Sequence, residues 1–345
     1  MIKSINTSIS VLILLLTTFS LMKAQEKLLV PHDKYQSFQQ KFGGIPASDK
    51  NDIHKIKSRM LQGIYRNTKI EGVYCNYLTD SSCFINFMRS EKLQHDAEKE
   101  LKDIIARDRL TDEKRLCNNL LSSQPLAFNL FLPLRWDNYQ IATEAFKKLY
   151  PDLNIKNITA IKLEFVPGDN EEKRLIVTDK SCFDVFVEYI TFSGQKSCIG
   201  IEVKYTEPFS NTDFNKAPDD KRQRYINAIS DYSEQFYSEY TQKYLSAKFN
   251  QLFRNQLISE EVKSKTDYAN CFQIVLFSSN DTKCIEAVNE FSSMLKIDKS
   301  FQTLTIEDFI KSIIDCDKKS EISKLYQEIY NRYCNYGKLE KYLQN

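Results

Sequence analysis

Between residues 181 and 206 the chain reads SCFDVFVEYITFSGQKSCIGIEVKYT, and in it two carboxylates and an ammonium stand where they could act together. Asp184, Glu202 and Lys204 are even-numbered, whereas the odd positions Phe183, Val185, Val187, Tyr189, Ile199, Ile201, Val203 and Tyr205 are all apolar. Alternation of this kind marks strands with one face in the core. With Gly194 at the centre of a turn Ser193-Gly194-Gln195, the two strands fold back on each other and Asp184 falls opposite Lys204. All even positions then project from one face, so Asp184, Glu202 and Lys204 converge. Two carboxylates on such a face repel each other, and a divalent metal, which takes hard oxygen ligands, resolves the repulsion.

An amphipathic strand can carry E-x-K simply as a solvated face. The spacing D-x17-E-x-K, with each residue in an apolar strand, resembles the signature of the PD-(D/E)xK nuclease superfamily, the restriction-endonuclease-like fold. That resemblance implies a site in which Asp184 and Glu202 bind Mg2+, with Mn2+ as a substitute, and Lys204 positions or activates the attacking water. The implied activity is that of a Mg-dependent endonuclease hydrolysing phosphodiester bonds, with nucleic acid, DNA first, as partner. The alternative is a nuclease-fold binding or interaction protein that has lost catalysis.

The elements needed to position these residues can be read on either side. Thr159 to Val166, TAIKLEFV, is a strand with Ile161, Leu163 and Phe165 toward the core, which leaves Glu164 on the polar face beside Asp184 as a third metal ligand. The helix after Trp136 has an apolar face of Ile141, Ala142, Ala145, Phe146 and Leu149. Glu144 sits beside that face, and the resemblance implies an accessory acidic role for it. In the stretch S-S-Q-P-L-A-F-N, Gln124 and Asn129 need partners if buried, and the resemblance implies that they shape the cleft. A helical region from Asp219 to Glu261 carries Tyr225, Ile229, Tyr232, Phe236, Tyr240, Tyr244 and Phe249 as a core stripe. Within it Gln251, Arg254 and Asn255 form a polar edge suited to a phosphate contact. CFQIVLF, 271–277, is apolar on both faces apart from Gln273 and belongs at the centre of a sheet.

The resulting order gives an α/β fold with a restriction-endonuclease-like αβββαβ core, a mixed central sheet, and added N- and C-terminal helices. The divisions expected are a signal-peptide-like segment 1–24, a polar connector 25–51, a helical N-terminal region 52–135, the core 136–280, and a C-terminal helical extension 281–345 packed on that core. Composition agrees with a folded globular chain: 19 Tyr and 22 Phe stand against only 8 Gly. A net charge of +2 provides no overall basic field, so contact with nucleic acid must use a local patch.

Nine cysteines without C-x-x-C, and histidines scattered at 32, 54 and 95, speak against a zinc site. Cys182, Cys198 and Cys271 inside apolar strands read as free thiols of a reducing, cytoplasmic compartment. The apolar run Val11 to Met22 behind Lys3 reads the other way, toward export or membrane tethering by the first residues, with no stable membrane span after residue 24.

Overall fold

The computed structural model describes residues 49, 52–69, 78, 86–88, 90–107, 112–167, 181–210 and 212–340. The segment 1–24, nearly all of the connector 25–51, and the excursion 169–180 lie outside the described residues. In chain order the helices are α1 Ile53–Lys69, α2 Glu91–Ala106, α3 Glu113–Asn118, α4 Ser123–Phe131, α5 Gln140–Leu149, α6 Asp219–Asp231, α7 Thr241–Leu245, α8 Asn250–Lys265, α9 Thr282–Ser293, α10 Ile306–Cys316 and α11 Glu321–Tyr333. The strands are β1 Ile155–Phe165, β2 Phe183–Thr191, β3 Lys196–Val203, β4 Asn270–Phe277 and β5 Phe301–Thr305.

The strands form one sheet in chain order, β1-β2-β3-β4-β5. The first three make an antiparallel meander, and β4 and β5 run parallel to β3. The mixed sheet and its helices form the expected restriction-endonuclease-like architecture. β4 is an interior strand, paired with β3 on one side and β5 on the other, as a run apolar on both faces apart from Gln273 requires.

Helices cover both faces. On one, α4, α5, α10 and α11 pack Leu126, Phe131, Phe146, Phe309 and Tyr326 against the odd positions Val185, Val187, Ile199, Ile201 and Val203. On the other, α6, α7, α8 and α9 pack Tyr225, Tyr244, Leu252 and Phe291 against Phe186, Cys198, Cys271 and Val275. The even face is therefore roofed by helices rather than solvated. The single long helix read over 219–261 is broken: α6 ends at Asp231, a 3-10 turn and the short α7 follow, and α8 starts afresh at Asn250. Its aromatic residues reach one core from α6, from α7 and from the turns that join the helices, which a stripe at helical spacing does not distinguish from one long helix.

The N-terminal helices are tied to the rest by a buried arginine. Arg332 on α11 donates to Gln62 Oε1 on α1 and to the carbonyl of Asn86, and its guanidinium lies 4.4 Å from the Tyr65 ring centre. α2 and α3 are capped by Ser90 and Asp112, whose side chains accept from the backbone N–H groups of Leu93 and Arg115.

Strand alternation fails beside the candidate site. Phe165 and Phe183, paired across β1 and β2, both pack with the α8 layer instead of with the odd set. Glu164 is where β1 breaks its pleat, with a left-handed φ of +45°. Gly200 makes room for the displaced ring: a Cβ there would stand 2.2 Å from Cε1 of Phe183.

Cys182, Cys198 and Cys271 are free thiols. Cys117, which is not one of those three, is disulfide-bonded, and such bonds persist in oxidising surroundings. Among the described residues no helix is long and apolar enough to cross a membrane.

Candidate active site

The hairpin connecting β2 and β3 fixes the register of the site. Thr191 donates its N–H to the carbonyl of Gln195 at 2.9 Å, so the loop is Phe192-Ser193-Gly194 and its centre is Ser193, not Gly194. Gly194 takes the last loop position because that position needs the left-handed φ, here +83°. This moves the pairing by two residues from the expected register. Val185 pairs with Ile201, so Asp184 comes level with Glu202 rather than with Lys204. The shift is even, so the faces are unchanged and the three side chains still share one side.

The same row extends into β1. Leu163 pairs with Val185, which places Glu164 level with Asp184. Glu164, Asp184 and Glu202 thus form a row across three neighbouring strands, spaced by the usual strand separation of about 4.8 Å. Asp184 Oδ2 accepts the backbone N–H of Val203 at 2.8 Å, a bond that ties β2 to β3 at this end. Burial, then the charges of Glu202 and Glu164, push the Asp184 carboxyl well above the usual carboxylate range, with Lys204 acting in the opposite direction.

Glu202 is 2 % exposed and is held by three donors. Lys204 Nζ lies 2.8 Å from Oε1, Gln251 Nε2 donates to Oε1 at 2.7 Å, and Asn255 Nδ2 donates to Oε2 at 2.7 Å. Gln251 and Asn255 are four residues apart and face the sheet from the first turns of α8. Gln251 also receives from Lys204, Nζ to Oε1 at 2.8 Å, so one amide grips both members of the pair. Burial opposes the charge on Lys204, but Glu202 and Asp184 outweigh it and hold the ammonium above its ordinary pKa. The Lys204 backbone N–H continues the ladder to the carbonyl of Leu276 at 2.8 Å.

The rim is built by segments outside the hairpin. Glu207, three residues beyond Lys204, accepts from Arg115 at 2.7 Å and from the backbone N–H of Ser123 at the start of α4 at 2.8 Å. Burial opposes its ionisation, but Arg115 and the Ser123 N–H hold its carboxyl below the ordinary value. Next in α4, Gln124 Nε2 reaches Glu164 Oε1 at 3.4 Å, and the Cys182 thiol reaches Oε2 at 3.3 Å. Behind Glu164, Arg107 donates to the carbonyls of Leu163 and Glu164, both at 3.1 Å. It clasps the strand where the pleat breaks.

Of the residues singled out in the sequence, Asp184, Glu202, Lys204, Glu164, Gln124 and Gln251 are brought together. Three others are not. Glu144 is exposed on α5 and paired with Lys147 at 2.9 Å. That helix packs on the opposite face of the sheet, where an acidic side chain has no route to Asp184. Asn129 is buried, but it donates to the carbonyl of Asn86 and to Tyr333 Oη, each at 3.1 Å, and so braces the helix layer. Arg254 turns one step around α8 from Gln251, donates to Ser181 Oγ and lies 5.2 Å from the Phe214 ring centre. Its neighbours are on the rim, not the floor.

Sequence reasoning underused Asn255 and missed Arg107, Arg115 and Cys182. Gln251 and Asn255 carried a signal, an i,i+4 amide pair in a helix, whereas the arginines come from distant helices whose placement no local pattern encodes.

The donor set fits a hard divalent cation in chemistry: a row of carboxylate oxygens, in which burial and then the neighbouring carboxylates oppose ionisation of the middle one, is a place where positive charge is missing. Among the described residues, however, no group of three or more His, Cys, Asp and Glu side chains is gathered closely enough to hold a metal unaided. Asp184 and Glu202 are the nearer candidates, and Glu164 acts on Asp184 through its charge.

A family model described as PD-(D/E)XK nuclease superfamily matches residues 48–335. No curated protein and no solved structure matches the chain.

Proposed function

The chain belongs to the PD-(D/E)XK nuclease superfamily, and from that premise we propose that it is a metal-dependent nuclease hydrolysing phosphodiester bonds, in DNA first, at Asp184, Glu202 and Lys204. The observation that carries this reading is the trio itself: Asp184 level with Glu202, and Lys204 Nζ 2.8 Å from Glu202 Oε1. In hydrolysis a water oxygen bonds to phosphorus while the bond from phosphorus to the departing sugar oxygen breaks, and negative charge grows on the phosphoryl oxygens. Asp184 and Glu202 would hold Mg2+ or Mn2+, which when bound supplies Lewis acidity toward those oxygens and neutralises their charge.

The protein's own groups have separate tasks. Lys204, held protonated, keeps two of its three N–H donors on Glu202 and Gln251 and has the third for a phosphate oxygen or the attacking water. Gln251 and Asn255 fix the Glu202 carboxylate in one orientation, so no reorganisation is needed when substrate arrives. Glu164 raises the negative charge density at Asp184, and Gln124 fixes Glu164 from α4.

A second reading, a nuclease-fold binding protein without catalysis, has one observation in its favour: both oxygens of Glu202 are taken up by protein donors. Incubation of the purified chain with end-labelled DNA and RNA strands, in Mg2+, Mn2+ or EDTA, separates the two. Metal-dependent shortening of DNA supports the nuclease. Retention of strands that bind but stay intact in every metal supports the binding protein.

A further inference from the structure

Arg115 stands at the rim with more of its hydrogen-bonding capacity free than its surroundings use. It lies on the short helix α3, outside the elements that carry the trio. Its Nη2 donates to Glu207 Oε1 at 2.7 Å and its Nε to Ser122 Oγ at 3.1 Å. Among the described residues its Nη1 has no acceptor, and the side chain remains 42 % exposed.

The anchor beneath it is built rather than incidental. Glu207 Oε1 also accepts from the backbone N–H of Ser123 and, at 3.4 Å, from Ser123 Oγ, while Oε2 accepts from the N–H of Thr206 at 3.2 Å. One edge of the guanidinium is thereby fixed and the other is held toward solvent. The charges of Asp184 and Lys204 reach this pair, Asp184 acting on Arg115 and Lys204 on Glu207, so the guanidinium belongs to the electrostatic surroundings of the trio. A fixed planar fork with an open edge suits a phosphate, whose oxygens accept paired N–H bonds.

We propose that Arg115, oriented by Glu207 and Ser122, binds a non-bridging phosphate oxygen of the nucleic-acid strand entering the site. This contact reads the backbone and not the bases, so it positions the strand without selecting sequence. Placement rests on the nuclease reading of the trio, but the contact itself is a binding event that can be measured without cleavage.

The test is the affinity of the full chain for a short fluorescein-labelled single-stranded DNA, in EDTA, over a series of salt concentrations, for wild type, Arg115→Ala and Arg115→Lys. Loss of one phosphate contact lowers the slope of log affinity against log salt by about 0.7. Arg115→Ala is expected to bind about tenfold more weakly with that smaller slope, one lost phosphate contact weakening all sequences alike. Arg115→Lys, which keeps the charge and loses the fork, is expected to keep the slope and lose a few-fold in affinity. A merely structural arginine would not change the slope.

If Arg115→Ala does not fold, as judged by circular dichroism, the lysine variant carries the decision: weaker binding at an unchanged slope supports the contact, and wild-type affinity overturns it. Wild-type affinity and slope in Arg115→Ala, or no DNA binding by the wild type, likewise overturns it. Wild-type cleavage in Mg2+ is scored separately. A chain that binds through Arg115 but never cuts leaves this contact standing and removes the nuclease reading.

Discussion

Glu202 and Lys204, two residues apart at the end of one strand, hold each other at 2.8 Å and are 2 % and 6 % exposed. Asp184, level with Glu202, has no such cation on its own side chain among the described residues, and accepts the Val203 N–H at 2.8 Å. The two carboxylates are therefore unequal, and their neutral variants should differ in sign. Glu202→Gln leaves a buried ammonium without its counter-charge, and breaking a buried pair from one side costs on the order of 3 kcal/mol. Asp184→Asn removes a carboxyl that burial and two neighbouring carboxylates disfavour. Melting curves in EDTA should show Glu202→Gln clearly below wild type and Asp184→Asn at or above it. Equal destabilisation of both would contradict the asymmetry.

The raised pKa of Asp184 has a definite pH signature. An acid whose folded-state pKa lies above its unfolded value favours folding while it is protonated, and that advantage is lost as pH rises through the folded pKa. Relative to Asp184→Asn, the wild type should gain stability as pH is lowered toward the ordinary carboxylate range, and Mg2+ affinity should fall in the same direction because proton and cation compete for one carboxyl. Thermal melts and calorimetric titrations of both proteins at several pH values measure this. A wild-type and variant pair that track each other in parallel would remove the shift.

Lys204 is a donor and not a ligand, since an ammonium cannot coordinate a cation. Lys204→Ala should lower cleavage by about a hundredfold, as for loss of one positioned donor at a phosphoryl centre. Magnesium binding should persist, because Glu202 keeps Gln251 and Asn255. Unchanged turnover in single-turnover assays would exclude Lys204 from the reaction.

Glu164 occupies a left-handed φ of +45° that disfavours any side chain by about 1 kcal/mol. Glu164→Gly relieves this, whereas Glu164→Ala keeps the strain and loses the Gln124 and Cys182 contacts. The glycine variant should melt above the alanine variant, yet both should lose activity. If the alanine variant is the more stable of the two, the backbone at this residue is not strained.

Much of this arrangement was legible in the chain. Alternation in 183–190 and 199–205 assigned the faces, and an even register error could not disturb them. What alternation cannot supply is the loop position of Gly194, which depends on where a positive φ is needed, and so the row Asp184–Glu202 was read as Asp184–Lys204. Glu164 was legible as a neighbour of Asp184 but not as a break in the pleat, because a kink held by Arg107 from α2 leaves no local pattern. Glu144 entered as an accessory acidic candidate, ranked below Glu164, because a sequence does not show which sheet face a helix will cover.

The most direct test of the central claim is the nicking of supercoiled plasmid by wild type and by Asp184→Asn, each in Mg2+ and in EDTA. Nicking by the wild type in Mg2+ alone, with none by Asp184→Asn, is the predicted result. Nicking that survives in EDTA or in Asp184→Asn, or its absence from the wild type in Mg2+, would contradict the assignment of this site.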